Sequence, residues 1–160
     1  MQDKKSSDFL EVQYTLKCVT LSPSLWKNKD PVRPNLGVSY KTQPGRKVFG
    51  LRDNVGKYVA FCCVARTFDV PHDIVSLSAL TSEEGKIYIP YTVWSHEKGA
   101  GRTIINEILK MIKASNIGID RVVTLSPPTA MAEKFHLRNG AKMIRKNIAT
   151  VNFEYGLGDV

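Results

Sequence analysis

The stretch from Ile87 to Ile112, IYIPYTVW-SHEKGAGR-TIINEILKMI, limits the possible folds more than any other part of this chain. Ile87 to Trp94 is rich in β-branched and aromatic residues, as a buried strand is. Ile104, Ile105, Ile108, Leu109 and Ile112 recur at the three-to-four spacing of one helical face. Between the two lies Lys98-Gly99-Ala100-Gly101-Arg102. A strand that turns through glycines into a helix leaves unpaired N–H groups in the first helical turn. The helix dipole adds partial positive charge there, and glycine lets a ligand approach the backbone. Lys98 and Arg102 contribute cations. The turn is therefore expected to hold a phosphate or diphosphate; the alternative is glycine required only for the turn's dihedrals. Neither a Walker loop nor the dinucleotide fingerprint occurs.

A chain of 160 residues with 42% hydrophobic content suggests one domain, residues 1–160, with enough apolar material for a core. No apolar run approaches the roughly 18 residues of a membrane span. The start, MQDKKSSDF, is charged and has no apolar h-region, so no secretory signal is expected and the cytoplasm is the expected compartment. Cys18, Cys62 and Cys63 form no Cys-x-x-Cys pair, and the latter two read as reduced strand residues. His72, His96 and His136 show no ligand spacing, so no metal is expected. The formal charge of +8 attracts polyanions. Its lysines and arginines form no aromatic-interleaved stripe, so nucleic acid is left open without specific support. A homodimer is also left open.

Along the chain, residues 1–8 read as loose. Val12, Tyr14, Leu16 and Cys18 alternate as in a first strand. Ser22-Pro23 is placed to start a short helix through Trp26. Pro31 and Pro34 exclude a long helix from Asn28 to Asn35. Arg46 to Leu51 and Tyr58 to Ala65, joined by Asp53-Asn54-Val55-Gly56, read as a hairpin. Ile74 to Leu80 reads as a further extended apolar piece. Pro90 inside its strand points either to a bulge or to tolerance near the strand's start. Gly118 is the expected helix C-cap. Arg121 to Leu125 is a short buried strand, parallel to the one before the helix. A helix then follows, capped by Ser126 or Thr129 and ended by Asn139-Gly140. Lys142 to Arg145 and Ala149 to Tyr155 close the chain as antiparallel strands.

His96-Glu97-Lys98-Gly99-Ala100-Gly101-Arg102-Thr103-Ile104-Ile105 resembles motif A of the GCN5-related N-acetyltransferases (GNAT), Gln/Arg-x-x-Gly-x-Gly/Ala. His96 stands where the family has Gln or Arg. Thr129-x-x-Ala132-x-x-Phe135-His136, followed by Asn139-Gly140-Ala141, resembles the family's Asn-x-x-Ala-x-x-Phe-Tyr and Gly-Phe. Thr129, His136 and Ala141 are departures from it.

The resemblance implies an α/β (α+β) fold, a mixed twisted sheet of about six to seven strands flanked by helices and splayed between the fourth and fifth strands. It implies acetyl-CoA or another acyl-CoA as co-substrate and an amine-bearing acceptor. Val93 and Trp94 would orient the pantetheine arm. The run His96, Lys98, Gly99, Ala100, Gly101, Arg102 and Thr103, with Thr129, would bind the cofactor. His136 would replace the family's tyrosine as general acid, or act as base, since an imidazolium donates a proton near neutral pH. Thr124-Leu125-Ser126-Pro127 and Phe135 to Ala141 also resemble the Ser and His segments of the GNAT-like domain of malonyl-CoA decarboxylase. That likeness would make Ser126 and His136 a decarboxylating pair, with a plain N-cap as the other reading of Ser126. A non-catalytic module for RNA or a protein is the third reading, and charged tRNA as acceptor is a variant of the first.

Overall fold

The computed structural model describes residues 13–158, so the reading of residues 1–8 as loose and the start of the first strand lie outside it. Its strands are β1 (Thr15–Cys18), β2 (Arg46–Arg52), β3 (Tyr58–Thr67), β4 (Ile87–Ser95), β5 (Arg121–Val123), β6 (Lys142–Lys146) and β7 (Val151–Tyr155). Its helices are α1 (Val38–Lys41), α2 (Ile74–Leu80), α3 (Ala100–Ala114) and α4 (Ala130–Arg138), with a single 3-10 turn at Pro23–Leu25. The strands form one seven-stranded sheet in the order β1-β2-β3-β4-β5-β7-β6. Only β4 and β5 are parallel, and α3 makes the crossover between them.

Both faces of the sheet are covered, which explains why β3 is apolar almost throughout. On one face Ile104, Ile105, Ile108 and Ile112 of α3 pack with Leu51, Cys62, Tyr88 and Phe153. On the other, Trp26 and Leu36 of the long N-terminal connection and Leu77 of α2 pack with Phe61, Cys63, Ile89 and Trp94. No helix among the described residues is long and apolar enough to cross a membrane.

Two local expectations need correction, and one choice between caps is settled. Ile74–Leu80 is a helix, not an extended piece. Asp73 caps it, accepting from the Ser76 amide, while the Ser76 hydroxyl accepts from the Asp73 amide. That reciprocal cap satisfies two backbone donors and sets the helix start despite β-branched Ile74 and Val75. The crossover helix ends earlier than Gly118, with Ser115 as its C-cap, and Gly118 takes its positive φ of 78° beyond it. Of the two caps expected for helix α4, Thr129 is the one formed: it accepts from the Ala132 amide, and Ser126 takes no part.

Pro90 does produce a bulge. Thr92 pairs with Cys63 and Pro90 with Val64, so Tyr91 is left out of the ladder to β3. On the other side, β4 meets β5 only at Ile87–Arg121 and Tyr88–Val122, followed by one 3.3 Å bond from the Leu125 amide to the Pro90 carbonyl. No backbone bond joins the two strands past that point among the described residues, and a slot opens between them.

Candidate functional site

The slot leads into a cavity of about 360 Å³. Its walls are β4 from Pro90 to Ser95, Leu125 and Ser126 after β5, Thr129, Phe135 and His136 of α4, and Pro31 and Val32 of the long connection. Gly101 stands at its edge. The strand presents its backbone to this space selectively. His96 donates its amide to Val59 of β3 at 2.8 Å. Alternation along β4 then sends the Trp94 backbone to β3 as well, and turns the N–H and C=O groups of Val93 and Ser95 toward the slot. Trp94 contributes a buried ring instead, which Lys41 approaches at 5.3 Å.

At the mouth lies the N-terminus of α3. Its N-cap is Gly99, left-handed at φ 85°, with no capping side chain, and the first turn has no acidic residue. The amides of Ala100 and Thr103 bond to the carbonyls of Glu97 and Gly99, and the Thr103 hydroxyl also donates to Gly99. Thr103 and Ala100 are thus engaged within the protein and leave the run of unpaired first-turn amides incomplete. Those of Lys98, Gly99, Gly101 and Arg102 have no protein partner among the described residues. The Lys98 and Arg102 side chains are exposed and make no ion pair among those residues. An uncapped helix start flanked by two cations has the charge and the unused donors that an anion requires.

His136 is 6% exposed and lines the cavity. Its Nδ1 lies 2.7 Å from the Tyr155 hydroxyl, and its ring stacks on Phe153 at 5.1 Å. Burial pushes Tyr155 up to about 12, so the phenol keeps its proton. The Asn139 amide donates to that hydroxyl at 3.4 Å, and the hydroxyl has no acceptor but His136 among the described residues. Tyr155 therefore donates to Nδ1, and the proton of the neutral ring sits on Nε2. Nε2 makes no bond within the described protein and is not cut off from the cavity. Burial lowers the imidazole to about 4, which corrects the expectation of an imidazolium near neutral pH. The neutral Nε2–H is a hydrogen-bond donor and not a strong acid.

The same burial makes stability depend on pH. An unfolded imidazole binds its proton below about 6.5, whereas the folded one does so only near 4, so stability falls as pH drops through that window. His136→Phe is expected to remove about 2 kcal/mol from the stability lost between pH 7 and pH 4.5, measured by urea denaturation at both. An unchanged difference would show that the ring is not held neutral.

Ser126 is buried in the same cavity wall and bridges to Val151. Its hydroxyl pairs with Thr124 Oγ1 at 2.8 Å and makes no bond to His136. The two are brought to one space without being coupled. Tyr155 and Arg33 do not line the cavity but hold residues that do, and they carry no local sequence signal. Tyr155 lies 19 residues from His136. Arg33 lies 58 residues from Tyr91, whose carbonyl it binds at 2.8 Å.

No family model and no curated protein matches the sequence. Solved structures do match. GphF, a GNAT-like decarboxylase in complex with isobutyryl-CoA, aligns with a TM-score of 0.65 at 12% identity, over 92% of this chain and 100% of that one. The N-acetyltransferase PseH of Campylobacter jejuni, in complex with acetyl coenzyme A, aligns at 0.58 and 12%, over 89% and 98%. Malonyl-CoA decarboxylase of Agrobacterium vitis aligns at 0.55 and 16%, over 79% of this chain and 37% of that one. The chain has the GNAT fold, a mixed seven-stranded sheet with one parallel pair. That fold serves acetyltransferases and GNAT-like decarboxylases alike, so the chemistry has to be read from the site.

Proposed function

We propose that this chain binds an acyl-CoA and transfers its acyl group, acetyl in the simplest case, to an amine that attacks the thioester directly. The observation that carries this reading is the uncapped start of α3 at the mouth of the slot between β4 and β5. The amides of Lys98, Gly99, Gly101 and Arg102, with the two cationic side chains, receive the diphosphate. The backbone of Val93 and Ser95 runs beside the pantetheine arm as a strand edge would. The acyl group then enters the cavity, and most of the rate gain comes from holding it against the amine. As the C–N bond forms and the C–S bond breaks, charge develops on sulfur, Nε2–H of His136 donates a hydrogen bond to it, and the proton given up by the amine ends on the departing thiolate to leave CoA as the thiol. Titration calorimetry with acetyl-CoA is expected to show saturable binding at one site. Absence of heat with acetyl-CoA and malonyl-CoA alike would remove the basis for the reading.

One observation favours a second reading. Ser126 and His136 face one buried space, where Nε2–H of His136 can donate to a carboxylated acyl group and the Ser126 hydroxyl can join it by turning from Thr124. In that case malonyl-CoA would lose carbon dioxide with no amine present. Acetyl-CoA appearing from malonyl-CoA alone, and disappearing with Ser126→Ala, would select the decarboxylase. The transferase requires the amine and is only dented by that substitution.

A further inference from the structure

The connection before α1 crosses the sheet where β4 and β5 part, and Arg33 reaches into the parting. Its Nε donates to the carbonyl of Tyr91 and its Nη2 to the carbonyl of Leu125, both at 2.8 Å. Tyr91 is the residue that the bulge at Pro90 leaves out of the ladder, so its carbonyl is available. Leu125 belongs to the other strand's extension, and its own amide makes the last shared rung, the 3.3 Å bond to Pro90. A single guanidinium thus ties one strand to the other just where their own bonding stops. Its place is fixed from behind, because Asp30 Oδ1 accepts the amides of Val32 and Arg33 at 2.8 and 3.0 Å and the Thr92 hydroxyl at 2.9 Å.

We infer that Arg33 is a positioning residue that sets the width of the slot and closes its far end, so that only short acyl groups fit. This rests on the acyl-CoA reading. The planar guanidinium presents Nε and Nη2 along one edge at a fixed separation, so two carbonyls bound to it are held at a fixed distance. A lysine ammonium has no such fork. Tyr91 and Leu125, whose carbonyls the guanidinium binds, both line the cavity, so an acyl chain long enough to run between the strands past them would have to displace the guanidinium and leave two carbonyls without donors.

The test compares wild type with Arg33→Met by calorimetry against CoA, acetyl-CoA, butyryl-CoA and octanoyl-CoA, with amide hydrogen exchange at Leu125 in the unliganded protein. Wild type is expected to bind acetyl-CoA at least tenfold more tightly than octanoyl-CoA. Arg33→Met is expected to lose that preference, to keep its affinity for CoA within about twofold, and to exchange the Leu125 amide at least tenfold faster. Arg33→Lys keeps the charge, and the same loss of preference is expected from it should the methionine variant fail to fold. An unchanged preference together with unchanged exchange at Leu125 would overturn the inference. Wild type that binds no acyl-CoA would overturn the functional reading and with it the chain-length role, while faster exchange in the variant would still establish the tie between the strands.

Discussion

Asp30→Ala is expected to destabilise the fold by about 3–5 kcal/mol, measured by urea denaturation at pH 7. Asp30 and Lys41 are 6% and 2% exposed, and their side chains meet at 2.8 Å. Replacing two buried ions by apolar groups is often harmless, but removing one leaves the other charged and unpaired in a poorly polarisable surrounding. Here the loss goes further. The same carboxylate holds the amides of Val32 and Arg33 and the hydroxyl of Thr92. Thr92 is the β4 residue next to the bulged Tyr91, so the substitution releases the long connection from the strand that forms the slot. Lys41 would keep only its approach to the Trp94 ring, worth about 2 kcal/mol at best. The double variant Asp30→Ala, Lys41→Met separates the terms. If the unpaired ammonium is the main penalty, the second substitution restores at least half of the lost stability; no recovery would assign the loss to the backbone amides and Thr92.

That network also marks the limit of what the sequence could reveal. The crossover helix, the strand before it and the glycine turn are legible because each rests on short-range patterning: the isoleucine spacing, the β-branched run and the turn glycines. Pro90 is legible as a bulge because a missing N–H has a direct consequence in a ladder. Asp30 and Arg33 sit in a connection with two prolines and no periodicity, Lys41 ends the single-turn helix α1 after it, and their partners lie up to 92 residues away. Nothing local distinguishes them from surface charges. Tyr155 has the inward place of an ordinary closing strand, and only the packed ring of His136 shows its second role. Helix α2 is a different case, since a signal existed. Asp73 and Ser76 stand three apart, as in a capping box, ahead of a β-branched start that reads as strand. The charge state of His136 was illegible for a physical reason. A histidine in a pattern gives no measure of its desolvation, and desolvation moves it from the usual range to about 4.

Gly101→Val is expected to weaken CoA binding on the order of 10²–10⁴-fold, because hydrogen bonds to a charged ligand contribute about 1.5–3 kcal/mol each and two free amides are at stake. Those amides belong to Gly101 and Arg102. A Cβ at position 101 would already lie 3.4 Å from Phe135 Cε1 and 3.5 Å from its Cζ. The two further methyls of valine have to push the Phe135 ring into the cavity or stand over the amides, and either closes the mouth. Alanine adds the bare Cβ, which meets the Phe135 ring at ordinary van der Waals contact, so Gly101→Ala is expected to lose under about tenfold. Helix propensity changes little between glycine and valine, about 0.5 kcal/mol, and both variants are expected to stay folded by circular dichroism. Calorimetry with CoA and with a polyanion such as heparin then separates two origins of anion binding. If CoA affinity collapses in the valine variant while weak, steeply salt-dependent heparin binding persists, the turn is a diphosphate site and the +8 charge is a separate, general attraction. Unchanged CoA affinity in Gly101→Val would remove the turn from the site, since no ligand could reach those amides past a branched side chain.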